Sequence, residues 1–291
     1  MNKGQDKTVS ILEIEHECIT VFALGQSPLI CNRMSEKAKR QLLMPSGRMT
    51  AADKAVNLKH SPLDEYRASP YTSQRTDAAT RLQALGAWFK GAMRTAALDM
   101  PGAKKAQIGR QLWVRPERID LYGVPQLLMA ITRSADIGKT PDVRTRAIVP
   151  RWACTFEIQF PVPLLRAQSI INLLAASGIM SGVGDWRAEK GSGNYGAFRL
   201  CAADDPEYLE IVRTGGAAAQ DAALASPQCY DDESESLLAW FDEQVHRRGE
   251  SQGRKVHIEP EGHLRDRIEK RVKARASRKD NGTTPHGELN P

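Results

Sequence analysis

Apolar and polar positions alternate most cleanly over residues 152–160, Trp-Ala-Cys-Thr-Phe-Glu-Ile-Gln-Phe. A period of two puts Cys154, Phe156, Ile158 and Phe160 on one side and Thr155, Glu157 and Gln159 on the other. That pattern predicts a strand with one buried face, stopped by Pro161. A second strand signal lies within 8–31, where Ile19, Val21 and Ala23 alternate with Thr20, Phe22 and Leu24 until Gly25–Pro28 breaks the run. Shorter strand signals fall at 108–114 and 118–122, with Pro116 between them, and at Tyr195–Cys201. Helical spacing replaces alternation over 78–99, through Leu82, Leu85, Trp88, Phe89 and Met93, with Lys90 and Arg94 sharing a flank. Residues 167–177, with Ile170, Ile171, Leu173 and Leu174, predict a helix ended by Gly178. A short helix is predicted over 35–43 with Ser35 as its cap.

Between these elements, 45–77 is polar and patternless and reads as a loop insertion, and 132–147 is basic and poorly periodic. The order strand–helix–strands–strand–helix–strand predicts an α+β fold: a ferredoxin-like, RRM-type antiparallel sheet with helices on one face. A domain over 1–202 would carry the 45–77 loop and a basic insertion over 132–151. Residues 203–276 form an acidic and then basic extension. Leu237, Leu238, Trp240 and Phe241 mark one helix in it, and Leu264, Ile268 and Val272 another. Residues 277–291 have the composition of a flexible tail.

Charge sharpens this picture. The 291-residue chain carries a formal net charge of +6, which suits an anionic partner. The five cysteines lie far apart with no C-x-x-C pair, which disfavours a disulfide framework or a zinc knuckle and suits a reducing cytoplasm. No signal-like apolar run opens the chain, and no stretch approaches the ~20 apolar residues of a membrane span. The expectation is a soluble cytoplasmic protein with no membrane partner.

The densest functional signal is the segment Gly178 to Phe198, which contains six glycines, Asp185-Trp186-Arg187 and Lys190. Exposed amides of such a loop can face phosphates, Arg187 and Lys190 add charge, and Trp186 offers a face for a base. The alternative is a long flexible hairpin whose Trp186 packs in the core, with Asp185 and Glu189 paired to Arg187 and Lys190 so that the loop is structural.

This loop resembles the C-terminal glycine-rich signature of the RAMP superfamily, ferredoxin-like proteins that form the backbone of CRISPR effector complexes. Ser27-Pro28-Leu29-Ile30 resembles that family's early turn, and Phe89-Lys90-Gly91-Ala92-Met93-Arg94-Thr95-Ala96-Ala97 its G-x-x-R-x-A-A helix. Residues 17–201 are also similar to uncharacterised bacteriophage proteins with the same motif order. The resemblance implies a non-enzymatic protein that coats single-stranded nucleic acid, RNA before DNA, as an oligomer or with other CRISPR-like or phage proteins, in a bacterial or phage-infected cell. It also implies a thumb-like role for the 132–151 insertion. The implied contacts are Lys90, Arg94, Arg133, Lys139, Arg144, Arg146, Arg151, Gly182, Gly184, Trp186, Arg187, Lys190 and Gly191. Two other readings stay open: a phage single-stranded DNA-binding or annealing protein, and a mimic of a CRISPR subunit that docks on a protein through the acidic 203–246 segment.

Catalytic chemistry finds little support. His16 lies beside the first strand between Glu15 and Glu17, a context that suits either a general acid or a surface ion cluster. The acidic runs at 204–207 and 231–235 lack EF-hand spacing and read as solvated faces. No Walker loop, nucleophile elbow or dinucleotide fingerprint occurs. The expectation is no enzyme, no metal and no cofactor.

Overall fold

The computed structural model describes residues 13–34, 39, 43, 60–133, 141–190 and 193–251. The chain divides into two units, 1–239 and 240–291. The first is a mixed α+β unit built on an antiparallel sheet.

Four positions in that sheet define its topology. Strand β1 (Glu15–Gly25) runs between β10 (Phe198–Cys201) and β9 (Ala153–Val162), and β9 pairs on its far side with β5 (Trp113–Arg115) and β6 (Arg118–Tyr122). With β5 and β6 counted as one interrupted strand, the order is fourth–first–third–second, the ferredoxin-like arrangement. Helix α2 (Gly86–Ala96) joins the first and second positions, and α4 (Ala167–Met180) joins the third and fourth. The sheet continues past β6 through β4 (Leu82–Leu85) to β3 (Tyr71–Thr72).

Both connecting helices lie on one face, where Val21 and Ala23 align with Phe156 and Cys154. Phe89 of α2 sits 4.3 Å from the ring of Phe156 and 5.4 Å from that of Phe198. All three are fully buried, and truncating such a ring costs about 3–5 kcal/mol. The opposite face is half covered rather than bare. Helix α5 (Pro206–Thr214) places Tyr208 and Ile211 on Leu24 and Ala153, leaving the Glu15 end of β1 open.

Several elements differ from the pattern-based expectation. The predicted 78–99 helix starts only at Gly86, because Leu82–Leu85 pairs with β6 instead. The 108–114 signal is α3 (Lys105–Gln111) followed by β5. Helix α4 continues through Gly178, whose absent side chain lets it lie on β10: a Cβ there would stand 2.1 Å from the Phe198 carbonyl. The described part of the 45–77 loop contains α1 (Pro62–Ala68), whose Tyr66 is fully buried. The helix expected over 35–43 lies, apart from Lys39 and Leu43, outside the described residues.

The 132–151 insertion is a hairpin of β7 (Gln126–Arg133) and β8 (Pro141–Val149), joined by β2 (Leu29–Ile30) into a separate three-stranded sheet. The chain continues through α6 (Ala217–Ala225) to α7 (Asp232–Ser251), and residues 228–234 bond to β7. Met129 N–H donates to Ser234 Oγ at 2.9 Å, and Leu127 N–H to the Gln228 carbonyl at 2.8 Å. The first unit runs to 239. In the second unit the described residues, 240–251, are the helical end of α7, with Trp240 exposed. The helix expected around Ile268 lies outside the described residues. No described helix is long and apolar enough to cross a membrane.

Candidate nucleic-acid interface

The sequence-derived candidates separate into three places. The first is the glycine-rich loop, which is folded inward. Gly182 and Gly184 have φ of 65° and 81°, and a Cβ on Gly184 would stand 2.5 Å from Leu29 Cδ1 and 2.7 Å from the Ile30 carbonyl. Backbone amides that could have faced phosphate are used within the protein. Val183 N–H donates to Gly196 O at 2.9 Å, Asp185 N–H to Ile30 O at 3.0 Å and Gly196 N–H to Pro28 O at 2.8 Å.

The charges of Asp185, Arg187 and Glu189 are also matched. Arg187 donates to Glu189 at 2.7 Å and to the Gly184 carbonyl at 2.8 Å, while Glu189 accepts from Thr95 on α2 at 3.2 Å. Asp185 pairs with Arg146 of β8. Burial first, and Arg144 second, pull the Arg146 guanidinium down to about 10, so it stays charged at neutral pH. Half-buried Trp186 packs against Ile30, Leu128 and Ile148, with Tyr195 at 6.2 Å. Lys190 ends a short 3-10 turn at 188–190, and Gly191 lies outside the described residues.

The second place is the β7–β8 hairpin. Arg144 is exposed on β8, and Arg133 ends β7. Lys139 lies outside the described residues. Arg151, just after the hairpin, is held by Glu210 of α5 at 2.8 Å. Among the described side chains of this region, Arg146 is the one that meets the loop.

The third place is a groove at the edge of the open half of the sheet, where one candidate, Lys90, meets residues that motif reading passed over. An open groove of about 910 Å³ is lined by Lys90, Trp113, Arg115, Arg118, Glu117 and Glu157. Its floor is the junction of β4 and α2, where Gly86 N–H donates to the Glu117 carbonyl at 3.0 Å. Trp113 stands on the sheet at 39% exposure, and the His16 ring meets it edge-on at 5.6 Å. Alternation along β1 turns Glu15 and Glu17 away from the face that carries His16.

Arg118 lies over the Tyr71 ring at 4.7 Å. Among the described residues, Lys90 and Arg115 have no ion-pair partner. One turn along α2, exposed Arg94 packs over Gly109 of α3, and Arg110 follows on that helix. The cations thus continue from the sheet edge along the helices. On the same face, the Cys18 thiol donates to Glu157 at 3.7 Å; desolvation first, and that carboxylate second, raise the thiol above its usual value, so it stays protonated.

No protein-family model matches this chain, and no curated protein matches it. Among solved structures, the cryo-EM structure of the Type III-B Cmr-beta bound to cognate target RNA is similar with a TM-score of 0.35 and 12% identity, over 64% of this chain and 59% of that one. The chain therefore spans less than two thirds of that neighbour's length. The likeness is distant.

The chemistry of the open half is that of a binding surface. It offers a flat ring for stacking, cations at several residues' spacing and two carboxylates, Glu117 and Glu157. No group of three or more His, Cys, Asp or Glu side chains among the described residues could hold a metal ion. A signal for Trp113 and Arg115 was present in the sequence: Trp113-Val114-Arg115 alternates, which puts the ring and the guanidinium together on the side opposite buried Val114.

Proposed function

We propose that this protein binds single-stranded nucleic acid on the open half of its central sheet, as a non-enzymatic binding protein. The observation that carries the reading is exposed Trp113 standing beside Lys90, Arg115 and Arg118 in one groove. A base stacks on Trp113, the three cations neutralise neighbouring phosphates, and Arg94 extends the track along α2. A duplex hides its base faces and cannot use the ring, so single strands are favoured over double strands. The RAMP-like motifs make RNA the first ligand to test and assembly along the strand the finer form of the proposal.

Fluorescence anisotropy with matched single-stranded RNA, single-stranded DNA and duplex DNA across a salt series tests this. Tight, salt-sensitive binding to single strands is the expected result. The triple variant Lys90→Ala, Arg115→Ala, Arg118→Ala should flatten the salt dependence by about two units of slope, at ~0.7 per phosphate contact on a single strand. Absence of binding to every nucleic acid at low salt would overturn the reading and leave a protein partner as the alternative.

A further inference from the structure

The open sheet face carries an acid where a plain phosphate-binding surface would have none. Glu157 sits at the centre of the platform, on β9 between β1 and β5, with Thr20 and Arg115 as its direct cross-strand neighbours. Its side chain is exposed and lines the same groove as Trp113. Arg115 lies opposite it in register, yet the two form no ion pair. The described hydrogen bond of the carboxylate comes from the Cys18 thiol, a weak donor, and occupies one of its two oxygens. A carboxylate left this open beside three cations repels phosphate and gains nothing from solvent that it would not gain elsewhere on the surface. It acquires a purpose if a hydrogen-bond donor of the ligand reaches it.

Diagonal neighbours on one sheet face stand about 7–8 Å apart, and Trp113 and Glu157 are such a pair across the β5–β9 register. A base lying on the Trp113 ring can turn its edge toward Glu157 at this spacing. The donors on base edges are exocyclic amino groups and, in guanine and uracil, a ring N–H. Carboxylates accept from the cytosine amino group in known base readout. At position 4 uracil presents a carbonyl oxygen where cytosine presents that amine, and its ring N–H is flanked by two carbonyls, so a carboxylate that reaches this donor also faces acceptor oxygen.

We propose that Glu157 reads the base stacked on Trp113, so that the groove selects bases with an exocyclic amino group and disfavours uracil. This inference rests on the single-strand reading above and deepens it from a coating surface to a selective one. The cations set how tightly a strand is held, and Glu157 sets which base occupies the stack. Cys18 positions the carboxylate and touches no base.

The test compares oligo(C) and oligo(U) RNA of equal length, two pyrimidines whose edges differ at position 4 (amino against carbonyl) and at the adjacent ring nitrogen (acceptor against N–H donor). The full chain should bind oligo(C) about tenfold more tightly than oligo(U), the smaller end of the discrimination that a base contact provides. Glu157→Gln keeps the size of the side chain but offers both a donor and an acceptor. The ratio should fall to near one, chiefly through tighter oligo(U) binding, because a repelling charge is removed as well. Trp113→Ala should weaken both oligonucleotides and shrink the ratio with them. Equal affinity of the unmodified protein for the two strands would overturn the inference and leave the single-strand reading intact. So would a C-to-U ratio unchanged by Glu157→Gln. Failure to bind either strand would overturn both.

Discussion

The glycine-rich loop and the open half of the sheet contain much the same ingredients: a tryptophan, arginines, a lysine and nearby carboxylates. They differ in where the contacts go. In the loop, Arg187 meets Glu189, Arg146 meets Asp185, and Trp186 leans on Ile30, Leu128 and Ile148. On the sheet, Arg115 and Glu157 stand opposite each other without pairing, and among the described residues Trp113 has one ring neighbour, His16. A motif rich in glycine and charge is thus spent on holding three chain segments together. A plain run of alternating residues leaves its chemistry available. Composition alone does not distinguish a site from a joint; the fate of each hydrogen bond does.

The sharpest way to break this comparison is at glycine. Gly184→Ala places a Cβ against Leu29 and the Ile30 carbonyl at a φ of 81°, and should cost about 2–4 kcal/mol. Thermal denaturation would show this as a fall of roughly 5–15 °C. Gly91 of α2, next to Lys90, has open space around its Cβ position, so Gly91→Ala should instead stabilise the helix by about 0.5–1 kcal/mol. Equal effects at the two glycines would mean that the loop is not packed as described.

The two tryptophans provide the next contrast. Trp186→Ala should destabilise the fold by about 2–3 kcal/mol in denaturant titration while nucleic-acid affinity, measured well below the transition, stays the same. Trp113→Ala should do the reverse, weakening binding by about 1–3 kcal/mol and leaving stability within about 0.5 kcal/mol. An exchange of these outcomes would return the glycine loop to the binding face. The smallest effect expected is at single arginines. Arg115→Ala should reduce the salt slope of binding by about 0.7 units, and Arg187→Ala should leave that slope unchanged.

Much of the fold could be read from alternation. The β9 strand and the two connecting helices follow from residue spacing, and their order leads to the ferredoxin-like sheet. Short elements escaped because period cannot identify them: Leu82–Leu85 fits a helix or a strand until Gln83 is paired with Asp120. The β8 strand was hidden because Arg144 and Arg146 make it look like a charge run, although buried Thr145, Ala147 and Val149 alternate with them. Of the candidate site, Lys90 and Arg94 were legible as a helix flank. The matching of Asp185 by Arg146, 39 positions earlier in the chain, was not, since ion pairs between distant segments leave no local trace.

Gln220 of α6 has a consequence of a different kind. Its side-chain oxygen accepts from the amides of Arg81 and Leu82 at 2.6 and 2.9 Å, and its nitrogen reaches the carbonyls of Leu121, Gly123 and Gly215 at 2.8, 3.0 and 2.8 Å. Leu82 and Leu121 belong to the outer strands β4 and β6, Arg81 and Gly123 flank them and Gly215 caps α5; buried backbone groups without partners are costly. A ribosome delivers the sheet strands long before it delivers Gln220. The β4–β6 edge of the nascent chain therefore stays incomplete until α6 has emerged to close it.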